Sequence, residues 1–416
     1  MNYLRLFLLI FCFIGALGTA QAQGGLTGVV QDSLTHEPLA FASVFLANTT
    51  LGVTTTEQGT FEFPKVPAGT YDVVGSYVGY RLSKKSITVT AAPQQVTLEL
   101  ASTGNQLGEV VVKPAPNEPE ELRQFTDLFL GGTTFSEQCH ISNPDQVRIF
   151  FDEATGELTA RSKEFLQIDN DALGYRLKYY GLEFGYNKQD GTMSYYGEPV
   201  FEEMKPRDER QQQQWAANRA TAYRGSFMHF LRSVYNNRLE ADGFLAQQIR
   251  MAPNSQFRRM EGKRRALQQR RPNGGFTRAE KDSLARWGRM TPVLATLYPE
   301  ARPIDSLRRI SVSGERTFLR FTGELQVAYF GESPDPRYNR RMLPLGTTRK
   351  PYPAKRQVSR LKLEDGEAEI QANGSLMNPL EAVNGEYWGF ERIGEFLPVD
   401  YAPPATSSAP ATSANP

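Results

Sequence analysis

The sequence contains few of the residues that most often carry catalysis or bind metals. It has two cysteines and three histidines among 416 residues. Two cysteines exclude a small scaffold held together by several disulfides. After the N-terminal segment no run reaches the ~20 apolar residues that a membrane-spanning helix requires. Neither sign of charge dominates, with 47 Lys and Arg against 46 Asp and Glu, so overall charge does not favour a nucleic-acid partner.

The three histidines lack the spacing of a zinc peptidase. Three ligands must converge on one zinc ion, and short motifs such as His-Glu-x-x-His achieve this on a helix. His140 is followed by Ile-Ser-Asn and His229 by Phe-Leu-Arg, and His36 begins no such motif. We therefore expect neither a zinc carboxypeptidase nor a bound metal or other cofactor.

The first 22 residues have the pattern of a secretory signal peptide. Arg5 supplies the positive start, residues 6–17 form the apolar stretch, and residues 20–22 (Ala-Gln-Ala) form a cleavage site. The sequence thus predicts an exported protein, in the periplasm or associated with the outer membrane. Cleavage removes Cys12 and leaves Cys139 as the remaining thiol, so the exported chain must fold through its core rather than through a disulfide.

Residues 24–113 alternate short apolar strands with turns. In one of them every second residue (Ala40, Ala42, Val44 and Leu46) alternates with Phe41, Ser43 and Phe45, and this period of two is typical of a strand with distinct faces. About seven such strands at roughly 8–12-residue spacing predict a seven-stranded antiparallel β-sandwich.

An ordered series of motifs in this region resembles the carboxypeptidase-regulatory-like domain. The motifs are Gly28-Val29-Val30, residues 38–44 (PLAFASV), residues 59–63 (GTFEF), residues 66–71 (VPAGTY) and residues 76–80 (SYVGY). The resemblance implies a transthyretin-like sandwich without catalytic residues of its own. It also implies an exported protein of the Bacteroidota, the phylum in which this domain is common.

In that phylum the domain often precedes TonB-dependent outer-membrane receptors. Residues 106–112 (QLGEVVV) resemble the segment that joins the domain to the receptor plug and contacts TonB. No plug follows Lys113, and the remaining residues are too few for a large transporter barrel. We favour a last edge strand at Glu109–Val112, and keep an accessory role in TonB-linked uptake as an alternative.

A stiff polar linker at residues 114–119 (PAPNEP) is the predicted domain boundary. Residues 120–397 are predicted to form one α+β domain, in which an antiparallel sheet carries helices. A β-sandwich with a helical insertion is the alternative. Residues 398–416 are rich in Pro, Ala, Ser and Thr, a composition typical of a disordered tail.

Within residues 120–397, periodicity predicts a helix at 120–130, strands between 147 and 204, and further strands at 317–330 and 358–372. Residues 207–239 are mostly helical, and Gly225 with Ser226 divides them into two helices, the second of which Ser226 caps.

Further motifs of the second domain are similar to a group of Bacteroidota proteins, the carboxypeptidase-like regulatory domain-containing proteins. They include residues 138–144 (QCHISNP), residues 225–232 (GSFMHFLR) and residues 387–392 (YWGFER). This resemblance spans most of the chain after the signal peptide, and it implies no activity.

Cys139 is the candidate nucleophile, and a thiolate needs a base, which His140 or His229 could supply. Adjacent side chains in a strand point to opposite faces, which disfavours His140. His229 could reach Cys139 only through the fold. A buried structural thiol is the interpretation we favour, while catalytic, intermolecular and redox roles stay open.

Two acidic clusters, Asp169-Asn170-Asp171 and Glu202-Glu203, could bind calcium or act as paired acids, but neither has the EF-hand pattern. We expect them to be solvated turn residues. Tyr179-Tyr180 and Tyr195-Tyr196 could stack on a sugar, although paired aromatics in strands are typical of a core.

The strongest local charge bias lies between residues 258 and 271, where seven basic residues face Glu261 alone. On a helix they would spread around much of the circumference. A solvated insertion is the simplest interpretation, and binding to anionic envelope material, such as lipid head groups or an acidic partner, is the alternative. The basic residues are Arg258, Arg259, Lys263, Arg264, Arg265, Arg270 and Arg271.

Together these observations favour a non-enzymatic exported scaffold or binding module for a protein or glycan of the cell envelope. An envelope hydrolase that uses Cys139 or carboxylates of the second domain is the competing hypothesis. No nucleic-acid partner is expected, and peripheral contact with a membrane is compatible with the basic segment. The sequence leaves the partner's identity and the oligomeric state open.

Overall fold

The computed structural model describes residues 23–103, 117–189, 191–269, 275–341 and 355–404. The chain divides into two compact units, residues 1–223 with 391–416 and residues 224–390. The structure is mainly β, as predicted, and helices accompany the sheets in both units. The predicted signal peptide, the TonB-like segment at 106–112 and most of the tail lie outside the described residues.

The first unit begins with a seven-stranded sandwich in the region where the sequence predicts one. One of its sheets has the order β4-β1-β7 and the other β3-β2-β5-β6. The strands are β1 (Gln23–Asp32), β2 (Ser43–Leu46), β3 (Gly52–Thr54), β4 (Thr60–Pro67), β5 (Gly69–Ser76), β6 (Ser83–Val89) and β7 (Gln94–Leu100).

One pairing of this sandwich departs from the predicted antiparallel pattern, because β1 and β7 are parallel. A parallel pair needs a long connection, which the five strands between them provide. The core contains Ala42, Val44 and Leu46 of the alternating set, each 0% exposed. Ala40, the first member of that set, lies in a turn before β2 and is half-buried. Burial of these apolar side chains between two sheets is the main source of stability in such a sandwich.

A second, six-stranded sheet follows in the same unit, with the order β8-β11-β12-β10-β9 and β13 paired to β12. Its elements are α1 (Pro119–Leu130), β8 (Cys139–Ile141), β9 (Val147–Asp152), β10 (Glu157–Ser162), β11 (Phe165–Asn170), β12 (Tyr175–Asn187), β13 (Met193–Glu203) and α2 (Glu209–Tyr223). Short 3-10 turns span Ser136–Gln138, Pro144–Gln146 and Ile393–Glu395.

The sandwich and the second sheet are packed together within this unit. Phe45, on the face of β2 opposite Val44, stacks on Tyr180 of β12 with the ring centroids 4.8 Å apart. The backbone N–H of Asn48 donates to the carbonyl of Pro199, and that of Phe201 donates to Thr49. The sandwich therefore contributes a second apolar face, which the sequence periodicity alone does not reveal.

Gly174 shows why a glycine is required at the turn between β11 and β12. Its φ of +68° lies in the left-handed region, and a Cβ there would overlap the indole ring of Trp215 in α2. Trp215 donates from Nε1 to the carbonyl of Asp171, 2.8 Å away. The turn and α2 are thereby fixed to each other.

The second unit contains the five-stranded sheet β15-β14-β18-β19-β21 and the three-stranded sheet β16-β17-β20. Its strands are β14 (Phe244–Pro253), β15 (Val293–Ala301), β16 (Arg308–Ile310), β17 (Thr317–Arg320), β18 (Glu324–Tyr329), β19 (Gln357–Leu363), β20 (Glu367–Ile370) and β21 (Ala382–Glu386). Its helices are α3 (Phe227–Tyr235), α4 (Ser255–Gln269), α5 (Arg278–Gly288), α6 (Ile304–Leu307), α7 (Pro336–Arg341) and α8 (Tyr387–Phe390), and a 3-10 turn spans Pro379–Glu381.

Helix α3 supplies much of the core of this unit through Phe230, Leu231 and Val234, which are buried. The break before it lies where the sequence predicts, since Gly225 has a φ of +82°. The predicted cap is confirmed, because Ser226 Oγ accepts from the backbone N–H of His229 at 3.1 Å.

The two compact units do not follow the predicted domains at 24–113 and 120–397. The first unit extends beyond the sandwich to Tyr223 and includes the chain again from Glu391. Asp400 shows the reason, since its carboxylate accepts from the backbone N–H and the hydroxyl of Thr50 in the sandwich. In the described part of the chain, no helix combines the length and apolar character needed to cross a membrane.

Candidate functional site

The predicted basic segment lies on an extension of the second unit's sheet. Strand β15 is an edge strand, and it pairs with β14 in antiparallel register, with Pro253 opposite Val293 and Met251 opposite Ala295. Between these two strands the chain forms α4 and α5, which pack on each other. We call residues 250–269 and 275–301 the basic arm.

Asn254 fixes α4 to the two-stranded ribbon that β14 and β15 form. Only 7% of this residue is exposed. Its Oδ1 accepts from the backbone N–H groups of Gln256 and Phe257, and its Nδ2 donates to the carbonyl of Thr291. One side chain therefore caps the helix and holds the returning chain, as expected of asparagine at such a position.

A capping box begins α5. Thr277 accepts from the backbone N–H of Glu280, and Glu280 accepts in return from the backbone N–H of Thr277 at 2.8 Å. Neither α4 nor α5 has a buried residue, so these caps stabilise helices that bury little apolar surface.

The arm concentrates positive charge. Its described residues include ten Lys and Arg against four Asp and Glu, whereas the whole chain is nearly balanced at 47 against 46. The rest of the chain therefore has an excess of acidic residues. The basic residues are Arg250, Arg258, Arg259, Lys263, Arg264, Arg265, Arg278, Lys281, Arg286 and Arg289.

The seven predicted basic residues are not equivalent. Arg264 and Arg265 bind Glu261, with shortest distances of 3.0 and 3.1 Å. Burial alone would raise the pKa of Glu261, but the hydrogen bonds from both guanidinium groups outweigh it and lower the pKa. Among the described residues, no carboxylate lies within ion-pair distance of three others, namely Arg258, Arg259 and Lys263. Arg270 and Arg271 lie outside the described residues.

The ribbon exposes apolar side chains next to this charge. Every residue of β15 is exposed. Met251 is paired with Ala295, and directly paired residues share one face of a sheet. Val293 lies two residues from Ala295 on the same strand and therefore shares this face, whereas Leu294 lies on the other. The exposed fractions of Met251, Val293 and Leu294 are 42%, 40% and 50%, which is high for residues that form cores. The ribbon therefore exposes apolar side chains on both of its faces.

This ribbon is not among the strands predicted from the sequence, whereas the sequence does indicate the basic residues that it carries. Val293-Leu294-Ala295-Thr296-Leu297-Tyr298 is an apolar stretch between two prolines, a pattern that could have predicted an edge strand. The sequence prediction for Arg258 and its neighbours concerns charge alone, and the exposed apolar side chains beside them are a finding of the structure.

Cys139 begins β8 and is half-buried. Its Sγ donates to the carbonyl of Phe135 at 3.5 Å. Burial, followed by the negative charges of Glu395 and Asp171, raises the pKa of the thiol. These surroundings disfavour a thiolate nucleophile and agree with a structural thiol.

His140, the nearest candidate base, makes different contacts. Its Nε2 lies 3.7 Å from Asp169 Oδ2, and its Nδ1 lies 4.0 Å from Asp171 Oδ2. The register pairs His140 with Asp169 and Cys139 with Asn170. The two adjacent residues are therefore paired with different residues of β11.

The first acidic cluster differs from the solvated turn that the sequence predicts. Asp169 and Asn170 belong to β11 and are 8% and 1% exposed. Asp169 binds the Arg176 guanidinium at 2.6 Å and accepts from the hydroxyl of Ser142. Burial would raise the pKa of Asp169, but these hydrogen bonds lower it overall. The prediction is wrong for Asp169 and Asn170, which end a buried strand, whereas Asp171 lies in the turn and is exposed.

The second cluster is exposed and paired with basic side chains. Glu202 lies 2.5 Å from Lys178 Nζ, and Glu203 lies 2.9 Å from Arg219 Nη1. Within the ranges that the structure describes, no group of three or more His, Cys, Asp or Glu residues is arranged to hold a metal ion.

The paired tyrosines contribute to packing. Tyr179 and Tyr180 are 3% and 6% exposed, and Tyr195 contacts the Phe129 ring with centroids 5.6 Å apart. Tyr196 is 37% exposed, but its hydroxyl donates to Glu198. These contacts confirm that the pairs belong mainly to the core, rather than forming a platform for a sugar.

His229, the other candidate base, lies in α3 of the second unit. Its ring packs edge-on against Phe244 and Tyr329, with centroid distances of 4.9 and 5.6 Å. Its Nδ1 accepts from the backbone N–H of Gly225 at 3.2 Å. Burial lowers the pKa of His229 to about 4. The neutral imidazole thus completes the turn before α3.

The comparison with protein families identifies the sandwich. Residues 26–112 match the model of the CarboxypepD_reg-like domain. The chain therefore contains a carboxypeptidase-regulatory-like domain in the region that the sequence motifs indicate. A comparison with curated proteins found no match.

Several solved structures share limited similarity with the chain. The group B streptococcus pilus 2b backbone protein is 19% identical, with 21% of this chain and 43% of that chain covered and a TM-score of 0.18. A type II cohesin–X-dockerin complex from Acetivibrio cellulolyticus is 20% identical, with coverages of 27% and 76% and a TM-score of 0.18. The Bacillus anthracis TIE protein is 16% identical, with coverages of 45% and 32% and a TM-score of 0.18. The chain spans less than half the length of the pilin it matches.

Proposed function

We propose that the protein is a non-enzymatic scaffold of the cell envelope that binds a protein or glycan partner, starting from the carboxypeptidase-regulatory-like domain at residues 26–112. In this proposal the first unit is the scaffold. Its sandwich and second sheet are held together by Phe45 on Tyr180 and by the hydrogen bonds of Asn48 and Thr49. Such a rigid base suits a binding role, because little conformational entropy is lost on association.

The observation that carries the proposal is the basic arm. Its helices have no buried residue, and apolar side chains such as Leu294 and Tyr298 are 50% and 40% exposed. Leaving these groups in water gives no stability to the isolated chain, whereas a partner that covers them gains their burial. The neighbouring Arg and Lys residues favour a partner with negative charge.

The protonation states of the candidate nucleophile and base further support a non-enzymatic role. Burial raises the pKa of Cys139 and lowers that of His229 to about 4. The folded protein thus favours a protonated thiol and a neutral imidazole whose Nδ1 already accepts a hydrogen bond. Neither group is prepared for nucleophilic catalysis.

In-cell crosslinking of the tagged full-length protein, followed by mass spectrometry, tests this proposal. We expect one envelope component to be captured in stoichiometric amount, with crosslinks to arm residues such as Lys263 and Lys281. The matched control replaces both lysines by arginine, which keeps the charge and removes the amine that the reagent modifies.

The opposite result is hydrolytic turnover by the purified protein that Cys139→Ala abolishes. Such turnover would show that the protein is an enzyme rather than a non-enzymatic scaffold. If no envelope component is captured in repeated experiments, the binding role is also rejected.

A further inference from the structure

Strand β15 leaves one side of the sheet open. It pairs with β14 on one side and is the last strand of the five-stranded sheet. Residues 293–298 contain no charged side chain and no proline, the devices that usually protect a sheet edge. Each of these residues is also exposed. The edge therefore has the properties of a site for an additional strand.

The register shows which backbone groups face the open side. Asn254 N–H donates to the carbonyl of Pro292, so these two residues form a hydrogen-bonded pair. Hydrogen-bonded and non-bonded pairs alternate along an antiparallel ladder. Val293, Ala295 and Leu297 are therefore at non-bonded positions relative to β14, with their N–H and C=O groups directed outward.

The positive charge of the arm determines which kind of strand is favoured at this edge. Arg258, Arg259 and Lys263 are exposed on α4, and the described part of the arm has six more basic than acidic residues. A second copy of this chain would bring an identical positive arm to the same edge, which repulsion disfavours. A segment with acidic residues beside its apolar ones would complement both features.

An anionic lipid bilayer would account for the basic and apolar side chains of the arm but not for its open sheet edge. Basic and apolar side chains together also suit an anionic membrane surface. However, backbone N–H and C=O groups of an open sheet edge find no partners in hydrocarbon, and such edges are not exposed to lipid. A protein strand satisfies these groups, and it also covers apolar side chains on the faces of the ribbon.

We infer that the open edge of β15 binds an extended, acidic segment of a partner protein as an additional β-strand. This inference rests on the proposed binding function and specifies the class of its partner. The main-chain groups of Val293, Ala295 and Leu297 bind the backbone of the segment. Arg258 and Arg259 attract its acidic side chains.

A pair of labelled peptides measures this binding to the full-length protein by fluorescence anisotropy. The acidic probe is EETVTITVEE and the basic one is KKTVTITVKK, which has the same strand-forming centre. We expect the acidic peptide to bind at least about tenfold more tightly at low salt, with the difference decreasing as salt is added.

Ala295→Pro removes one outward N–H group and places a ring at the open edge, without removing a hydrogen bond to β14. It should weaken binding of the acidic peptide by about tenfold or more. Ala295→Val is the matched control, since it keeps the N–H group and the strand propensity. Arg258→Glu with Arg259→Glu leaves the edge intact and should also weaken binding, whereas Lys65→Glu with Lys85→Glu in the sandwich should not.

Several results would overturn the inference. They are equal binding of both peptides, no binding of either, or unchanged binding by Ala295→Pro. Dimerisation that Ala295→Pro abolishes would assign the edge to a second copy. Sedimentation with phosphatidylglycerol vesicles that is insensitive to Ala295→Pro would assign the arm to lipid. If the envelope partner is still captured by the Ala295→Pro protein, the proposed function stands and this inference alone fails.

Discussion

Lys84 Nζ lies 2.7 Å from Oε1 of Glu198 and joins the sandwich to the second sheet within the first unit. Lys84 belongs to β6 and Glu198 to β13, and Glu198 is 5% exposed. Burial would lower the pKa of Lys84, but hydrogen bonds to Glu198, Tyr196 and Asp72 outweigh it and raise the pKa. The ammonium group of Lys84 therefore balances the negative charge of the buried Glu198 carboxylate.

Replacing Lys84 by Met should destabilise the first unit. Removal of one partner from a buried ion pair costs about 3–5 kcal/mol, but the Lys84 side chain is 35% exposed, so we expect roughly 1–2 kcal/mol. Urea unfolding at pH 7 measures this loss. Glu198→Gln added to Lys84→Met should restore part of the stability, because it removes the unpaired charge.

Lys85→Met is the matched control for this variant, since Lys85 is the next residue of the strand and is exposed. It should change the free energy of unfolding by less than about 0.5 kcal/mol. Equal losses in the two variants would show that the Glu198 contact contributes nothing specific.

The buried imidazole of His229 should make stability depend on pH. Its pKa is about 4 in the folded protein and near 6.5 in the unfolded chain, so the unfolded chain binds the proton first as pH falls. The contribution of neutral His229 to the free energy of unfolding is complete well above pH 6.5 and is lost progressively as the pH falls towards 4. Between pH 7.5 and 5.5 the loss is about 1 kcal/mol.

Denaturant unfolding of the wild type and His229→Gln at these two pH values checks this expectation. The variant lacks the titrating group, so its stability should change less over the same interval. Parallel losses in both proteins would assign the pH dependence to other groups.

Cys139 should react slowly with thiol reagents in the folded protein. Burial raises the pKa of its thiol, so the reactive thiolate is scarce near pH 8. We expect modification at least about 100-fold slower than in denaturant. Mass spectrometry of the peptide that contains Cys139 measures the rate; a rate close to that of the denatured chain would restore the reactive-nucleophile hypothesis.

Asn254→Ala should loosen the basic arm without unfolding the rest of the chain. The substitution removes the cap of α4 and the hydrogen bond to Thr291. Loss of such a cap costs about 1 kcal/mol. Hydrogen exchange should accelerate in residues 255–269, while α3 stays protected.

Two further variants separate the contributions of this side chain. Asn254→Asp keeps the capping oxygen and loses the donor to Thr291. Hydrogen exchange in α4 should therefore be slower in Asn254→Asp than in Asn254→Ala. Ser255→Ala, at the exposed neighbouring residue, should leave exchange unchanged. Identical exchange in Asn254→Ala and the wild type would contradict the assigned role of the cap.

Much of the local structure follows directly from the sequence. The alternation that ends at Val44 and Leu46 correctly predicts a strand with distinct faces, and Gly225 with Ser226 correctly predicts the start of α3. These features depend on side-chain period, φ preference and capping, which act over a few neighbouring residues. The motif series likewise identifies the carboxypeptidase-regulatory-like domain.

Other features depend on contacts between distant residues, which no local pattern contains. Periodicity predicts only that β2 has two distinct faces, whereas Phe45, on the face opposite Val44, is buried because β12 brings Tyr180 against it. Asp169 is predicted to be solvated, yet it is buried with Arg176 and Ser142.

The basic arm also combines features that the local sequence predicts with features that depend on contacts between distant residues. The sequence by itself determines its charge and the apolar character of residues 293–298. The tertiary structure decides that β15 pairs with β14 on one side and is open on the other. Pairing satisfies half of the backbone groups of an edge strand, and which half is satisfied follows from the register between β15 and β14.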